Sequence, residues 1–196
     1  MTRMLLVRHG QSEWNAEGRW QGRADPALSD LGRLQARHAA GRVGTVDVIV
    51  ASPLTRALHT ATIISEALGV GPVVLEPDLV ERDAGEWSGL TKAEIEVRYP
   101  GDLDAQRRPP GYEPDESVLA RVTAALDRIE ATYRGGQVLV LTHGGVVYVL
   151  EEAHGEQAGR LPNLGGRPLV HHRERLALEP RVLLVDPDEL TVPAQI

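Results

Sequence analysis

The sequence contains no cysteine and no phenylalanine, and twenty of its twenty-one basic residues are arginine, Lys92 being the exception. Without cysteine there is neither a disulfide frame nor a thiolate metal site, a composition that fits a reducing compartment. No apolar run approaches the roughly 20 residues of a membrane span. The N-terminus offers only the short run from Met4 to Val7 in place of a secretory hydrophobic region. A soluble, unexported, cytoplasmic protein is expected. A net charge of -7 argues against a nucleic-acid surface, which needs clustered cations to neutralise phosphates. With 196 residues, 42% of them apolar, the chain suffices for one core, and a single domain over 1–196 is expected.

Apolar runs alternate with helical patterns, the mark of an α/β domain: a three-layer α/β/α sandwich around a mostly parallel central sheet. Strands are expected at 3–8, 46–51, 72–76 and 137–142, with strand-like stretches near 168–172, 175–179 and 181–185. Ser29 can cap a helix with Leu31, Leu34 and His38 on one face. Pro53 suits the first turn of a second helix, with Leu54, Leu58, Ala61, Ile64 and Leu68 along its face and Gly69 closing it. Further helices are expected from Thr91 to about Arg98, from about Ser117 to Tyr133 with Val118, Val122, Leu126 and Ile129 buried, and from Gly144-Gly145 onward. Residues 99–116 carry four prolines and no apolar period, which predicts a long, lid-like loop.

Three expected strands end on reactive or cationic residues: Arg8-His9-Gly10, Ser52-Pro53-Leu54-Thr55-Arg56 and Thr142-His143-Gly144-Gly145. Ligands of open α/β sheets bind beyond the carboxyl ends of strands, so His9, Arg56 and His143 are expected to meet there. A histidine can attack phosphorus, a neighbouring arginine can hold phosphoryl oxygens, and a glycine permits a sharp turn and close backbone approach. That chemistry points to a phosphate ester, drawn by a local basic pocket. Attack needs an unprotonated imidazole, and Arg8 and Arg56 disfavour a further positive charge beside them. The leaving oxygen needs a proton, which Glu81 can supply if desolvation raises its pKa; read alone, Glu81 is more readily a surface carboxylate paired with Arg82. Trp14 and Trp20 either pack the loop after His9 or wall the substrate. Arg107 and Arg108 either bind a second anionic group or are solvated. His38, His59, His154, His171 and His172 read as structural. The adjacent pair 171–172 points to opposite faces of a strand, so no metal site is expected.

In order along the chain, Arg8-His9-Gly10 with Asn15; Gln21-Gly22 with Asp25-Pro26, Leu28-Ser29, Gly32 and Gln35-Ala36; Ser52 to Ala57; Glu81 with Gly85 and Gly89; and Thr142 to Gly145 resemble the histidine phosphatase superfamily, the phosphoglycerate mutase-like proteins. The match runs from residue 1 to about 150. Pro26-Ala27-Leu28-Ser29 departs from the many relatives that put leucine directly after the proline, which shifts a loop residue and leaves the catalytic set intact. The resemblance implies a phosphoglycerate mutase-like fold with His9 as the phosphate-accepting nucleophile and Glu81 as proton donor. Arg8, Asn15, Arg56 and His143 would surround the phosphoryl group, and Gln21 and Gly22 would line the substrate side.

The implied activity is metal-independent hydrolysis of a small phosphorylated metabolite through a phosphohistidine, with no cofactor. A cofactor-dependent phosphoglycerate mutase is the alternative. Mutases of the superfamily follow the acidic residue with a tyrosine, a lysine and an Arg-Arg pair on a long insertion. Here Ala84 stands at the tyrosine position and the loop to Ser117 is short, leaving Lys92 and Arg107-Arg108 as the imitation. A non-catalytic phospho-ligand binder is a third reading; it predicts loss of the nucleophile or the acid, and both are present. A homodimer, the commonest closed assembly, is open to the chain through a sheet edge or the 187–196 tail.

Overall fold

In the computed structural model, which describes residues 1–156, 159–173, 175–186 and 190, each central strand divides its side chains between two apolar layers. β1 (Thr2–Arg8) sends Met4 and Leu6 to one layer and Val7 to the other, and β4 (Gln137–Thr142) splits Val138 and Val140 from Leu139 and Leu141. This period-2 alternation buries both faces of a sheet only if helices cover each side. On the Met4 side lie α5 (Asp115–Thr132), with Val118, Val122, Leu126 and Ile129 buried as expected, and α6 (Gly144–Ala153). On the Val7 side lie α2 (Asp30–Ala40) and α3 (Thr55–Leu68), through Ala39, Ala40, Ala61 and Ile64. Full burial of each larger aliphatic side chain contributes about 1.5–3 kcal/mol.

The sheet order is β3 (Val74–Leu75), β2 (Val48–Ala51), β4, β1, β5 (Gly165–His172), β6 (Arg175–Leu178), with β7 (Val182–Leu183) also paired to β5. β3, β2, β4 and β1 are parallel, and β5 runs antiparallel to β1, β6 and β7, so every described strand except β5 points the same way. The result is the expected three-layer, mostly parallel α/β fold. No helix among the described residues is long and apolar enough to cross a membrane. Most of the 187–196 tail lies outside the described residues.

Two helical expectations need correction. Pro53 does not enter the first turn of α3; Leu54 occupies the N-cap position and the helix starts at Thr55. The buried face of α2 is Gly32, Ala36, Ala39 and Ala40, whereas Leu31 and Leu34 are half-buried and His38 is exposed. Available space explains the second difference. A Cβ at Gly32 would lie 2.0 Å from the Gln11 carbonyl oxygen, and one at Gly10 would lie 2.6 Å from the Gly32 oxygen. Backbone meets backbone there, so α2 turns its smallest residues inward. Gly10 therefore serves this helix approach, and its φ is not positive.

A short helix absent from the sequence reading, α1 (Glu13–Ala16), follows His9 and is closed by a capping box between Ser12 and Asn15. α4 (Lys92–Arg98) starts at the Thr91 cap as expected. In the 99–116 segment, Tyr112 bridges Ala84, while Glu86 N–H donates to the Pro110 carbonyl and Glu113 N–H to that of Asp83. Its second half thus becomes a wall beside residues 83–86.

Candidate active site

β1 and β4 run side by side in parallel, and the backbone N–H of His9 donates to the Thr142 carbonyl at 3.0 Å, which brings His9 and His143 to one edge of the sheet. Their ring centroids are 5.2 Å apart. The His9 ring is buried, with Nδ1 2.6 Å from the Gly10 carbonyl oxygen and Nε2 3.2 Å from Arg56 Nε. A carbonyl only accepts and a guanidinium only donates, so Nδ1 carries the proton and Nε2 presents its lone pair. Burial first, then Arg56 and Arg8, holds the pKa of His9 well below the usual histidine value, so the ring is neutral.

Arg56 sits in the first turn of α3 with no exposed surface. Its Nη1 donates to the Ala24 carbonyl at 2.7 Å and Nη2 to that of Gly22 at 2.9 Å, leaving N–H groups uncommitted. Burial, opposed by Glu81 and Asp25, lowers its pKa to about 10, so it stays cationic. Gly22 adopts φ +53°, and a Cβ there would meet the Ala84 backbone nitrogen at 2.6 Å. Glycine is needed there for its conformation and for the close approach of the chain at Ala84.

His143 is the N-cap residue of α6, and its pKa is also lowered, by burial and then by Arg56. Its Nε2 is 2.8 Å from Ser52 Oγ, while its Nδ1 is buried without a partner. Ser52 Oγ already accepts the Leu54 N–H at 3.3 Å. If Ser52 donates to Nε2, the only orphan is the Nδ1 proton. If Nε2 donates instead, both the Nδ1 lone pair and the hydroxyl proton lack partners. Hydrogen-bond accounting therefore assigns the proton to Nδ1, a buried donor awaiting an acceptor.

Glu81 receives the Arg82 N–H on Oε1 at 2.8 Å and the Gly145 N–H on Oε2 at 3.2 Å, which seats its carboxylate at the N-terminal turn of α6. The Arg82 guanidinium turns elsewhere, to Asp115, the Glu113 carbonyl and the Tyr112 ring. Glu81 is therefore not the surface partner of Arg82.

A cavity of about 460 Å³ opens at these strand ends. Of the residues expected there, Arg8, Asn15, Gln21, Gly22 and Glu81 line it, whereas His9, Arg56 and His143 are buried next to it. Gln21 Oε1 accepts the Ser12 hydroxyl at 2.7 Å, and Asn15 Oδ1 accepts from the Ser12 backbone. Trp20 lines the cavity while packing edge-on against Trp87 at 5.1 Å; Trp14 does not line it. Arg107 pairs with Asp102 at 2.7 Å, and Arg108 lies over the rings of Tyr112 and Trp87, so neither lines the cavity, nor does Lys92. His171 lies off the cavity with its Nε2 3.1 Å from Asp127.

Four supports lie outside the expected set of site residues. Asn163 Nδ2 donates to the His9 carbonyl at 2.9 Å and to Asn15 Oδ1 at 3.2 Å. Thr60 Oγ1 accepts the Gly10 N–H at 3.1 Å and donates to the Arg56 carbonyl at 2.7 Å. Tyr148 lines the cavity and accepts the Leu161 N–H, and Ser52 sets the His143 proton as described. Asn163, Thr60 and Ser52 reach His9, Gly10 and His143 across long stretches of chain. Only the Asn163-Leu164 turn leading into β5, or the serine directly after β2, could have flagged any of them.

Residues 4–169 match the family model of the histidine phosphatase superfamily (branch 1). The chain is 37% identical over 151 residues to phosphoserine phosphatase 1 of Hydrogenobacter thermophilus, covering 73% of this chain and 71% of that protein. It is also 37% identical over 186 residues to a 2,3-bisphosphoglycerate-dependent phosphoglycerate mutase of Methylobacterium sp., covering 86% and 89%. The solved mycobacterial glucosyl-3-phosphoglycerate phosphatase complexed with VO3 superimposes with a TM-score of 0.82 at 31% identity, over 90% of this chain and 96% of that one. A bifunctional protein of Mycobacterium tuberculosis is 44% identical over 151 residues, and the chain spans only 41% of its length. The matched span, the strand-end histidines and the shared architecture agree: the chain belongs to the histidine phosphatase superfamily (branch 1).

Proposed function

We propose that this chain is a cytoplasmic phosphomonoesterase that hydrolyses a small phosphorylated metabolite through phospho-His9 without a metal ion. The observation that carries this reading is the neutral His9 ring, its proton tied to Gly10 and its Nε2 lone pair facing Arg56. In the first step Nε2 attacks phosphorus, the P–O bond to the leaving group breaks, and Glu81 gives its proton to the departing oxygen. Charge grows on the equatorial oxygens, where the uncommitted N–H groups of Arg8 and Arg56 and the Nδ1 proton of His143 act most strongly. In the second step water attacks phospho-His9, Glu81 takes the water's proton, and inorganic phosphate leaves.

The mutase alternative needs the lysine and the Arg-Arg pair that mark that branch to stand at the substrate. Arg107, Arg108 and Lys92 lie off the cavity, which favours hydrolysis. The binder alternative has no support in a site that retains nucleophile, acid and phosphoryl donors together. The test is phosphate release from a panel of phosphomonoesters in EDTA, with His9→Ala as control, beside a mutase assay on 3-phosphoglycerate with bisphosphoglycerate. Metal-free release that vanishes in the variant supports the proposal; isomerisation with little release overturns it in favour of a mutase.

A further inference from the structure

We propose that Arg160 reads a second anionic group, so that the preferred phosphomonoester carries a carboxylate or a second phosphate on its leaving group. The inference rests on the phosphomonoesterase reading and narrows its substrate class. Four arginines line the cavity, Arg8, Arg19, Arg82 and Arg160, and Glu81 is its one lining carboxylate. Arg19 is neutralised by Glu17 and Glu94 at 2.8 and 2.9 Å, and Arg82 by Asp115. Arg8 stands beside the nucleophile, where the phosphoryl group needs it. Arg160 is exposed and has no ion-pair or hydrogen-bond partner among the described residues.

The backbone that carries Arg160 is nonetheless fixed to the site. Leu161 N–H donates to Tyr148 Oη at 2.9 Å, Arg8 Nη1 donates to the Leu161 carbonyl at 2.6 Å, and Asn163 holds the His9 carbonyl. Arg160 also stands between the main cavity and a neighbouring one of about 360 Å³, both of which it lines together with Arg8. Burial dominates the lowered Arg8 pKa, and the charge of Arg160 adds to it against the opposing effects of Tyr148 and Glu81, which places the two cations within electrostatic reach of each other. One phosphoryl group answers Arg8 and leaves Arg160 unmatched. A charge-assisted bond from Arg160 to a second anion is worth about tenfold to a hundredfold in affinity.

Calorimetric binding to the His9→Ala protein, which removes turnover, tests this with phenyl phosphate, 3-phosphoglycerate and fructose 1,6-bisphosphate. The expected result is that one ligand with a second anionic group binds at least about tenfold more tightly than phenyl phosphate. Adding Arg160→Ala should erase that preference, Arg160→Lys should keep part of it, and Arg107→Ala should keep all of it. The ligand that gains identifies the second group as carboxylate or phosphate. A preference that survives Arg160→Ala, is lost with Arg107→Ala instead, or is absent from the start overturns the proposal. When wild-type phosphate release is intact, such a failure removes the second-anion site alone; no binding of any ligand together with no release removes the phosphomonoesterase reading as well.

Discussion

Replacing Gly145 by alanine separates the placement of the proton donor from the stability of the fold. The added Cβ would lie 2.3 Å from Glu81 Oε1 and 3.2 Å from the carboxyl carbon. Ordinary contact requires that oxygen to retreat by about 1 Å. The obstacle is the far end of a flexible side chain and not backbone, so the retreat costs about 1 kcal/mol for the hydrogen bond from Arg82 N–H to Oε1, which the up to about 1 kcal/mol of helix propensity that alanine returns in α6 offsets. The melting temperature is therefore expected to stay within about 4 °C of wild type. Catalysis has no such slack, since a misplacement of about 1 Å can cost on the order of a hundredfold. The assay compares kcat/KM on an alkyl phosphate, whose alkoxide must be protonated as it leaves, with p-nitrophenyl phosphate, whose phenolate need not be. A drop of about a hundredfold is expected for the alkyl ester and a much smaller one for the aryl ester. Equal losses on both substrates, an unchanged alkyl rate, or a collapse in melting temperature would refute the reasoning.

Three further expectations use different observables. Gly32→Ala places its Cβ 2.0 Å from the Gln11 backbone oxygen, which cannot swing aside, so chemical denaturation should show a loss of about 1–3 kcal/mol or more, unlike Gly145→Ala. Ser52→Ala leaves His143 Nε2 without its donor; it should cost about 1–3 kcal/mol, and imidazole ¹⁵N spectra should move the proton from Nδ1 towards Nε2. A wild-type spectrum with the proton already on Nε2 would contradict the assignment. His9 and His143 both have folded-state pKa values depressed below 6.5, so below that pH the unfolded chain binds protons that the folded protein refuses. Stability is then full above pH 6.5 and falls as pH drops beneath it, by up to about 1.4 kcal/mol per pH unit for each ring. Denaturation midpoints at pH 7.5 and 5.5 check the sign, and an unchanged or higher midpoint at pH 5.5 would contradict it.

The strand ends were readable because apolar runs with period-2 faces stop at polar, charged residues: β4 falls on the expected 137–142, and β1 and β2 deliver His9 and Arg56 where the sequence places them. Ser29 and Gly69 were readable as local caps whose chemistry is contained within a few residues. The inner face of α2 was not, because hydrophobicity favours Leu31 and Leu34 while the nearness of the Gln11 backbone demands Gly32 and Ala36. Asn163 was equally hidden: its value lies in reaching the carbonyl of His9, over 150 residues away, which no local pattern encodes. Arg107 and Arg108 stand out in the sequence as adjacent charges, yet Arg107 pairs with Asp102, Arg108 lies over Trp87 and Tyr112, and neither lines the cavity.

His9 is expected to carry the phosphoryl group during turnover. The most direct measurement is rapid quenching of the protein with a ³²P-labelled phosphomonoester, followed by acid and alkali treatment and peptide mapping. Acid-labile, alkali-stable label is expected on His9 in the wild type and none in His9→Ala; with an aryl ester, whose phenolate leaves without a proton, the label should accumulate when Glu81→Gln slows hydrolysis of the intermediate. Phosphate release by wild type with no label on His9, or release that persists in His9→Ala, would contradict this expectation.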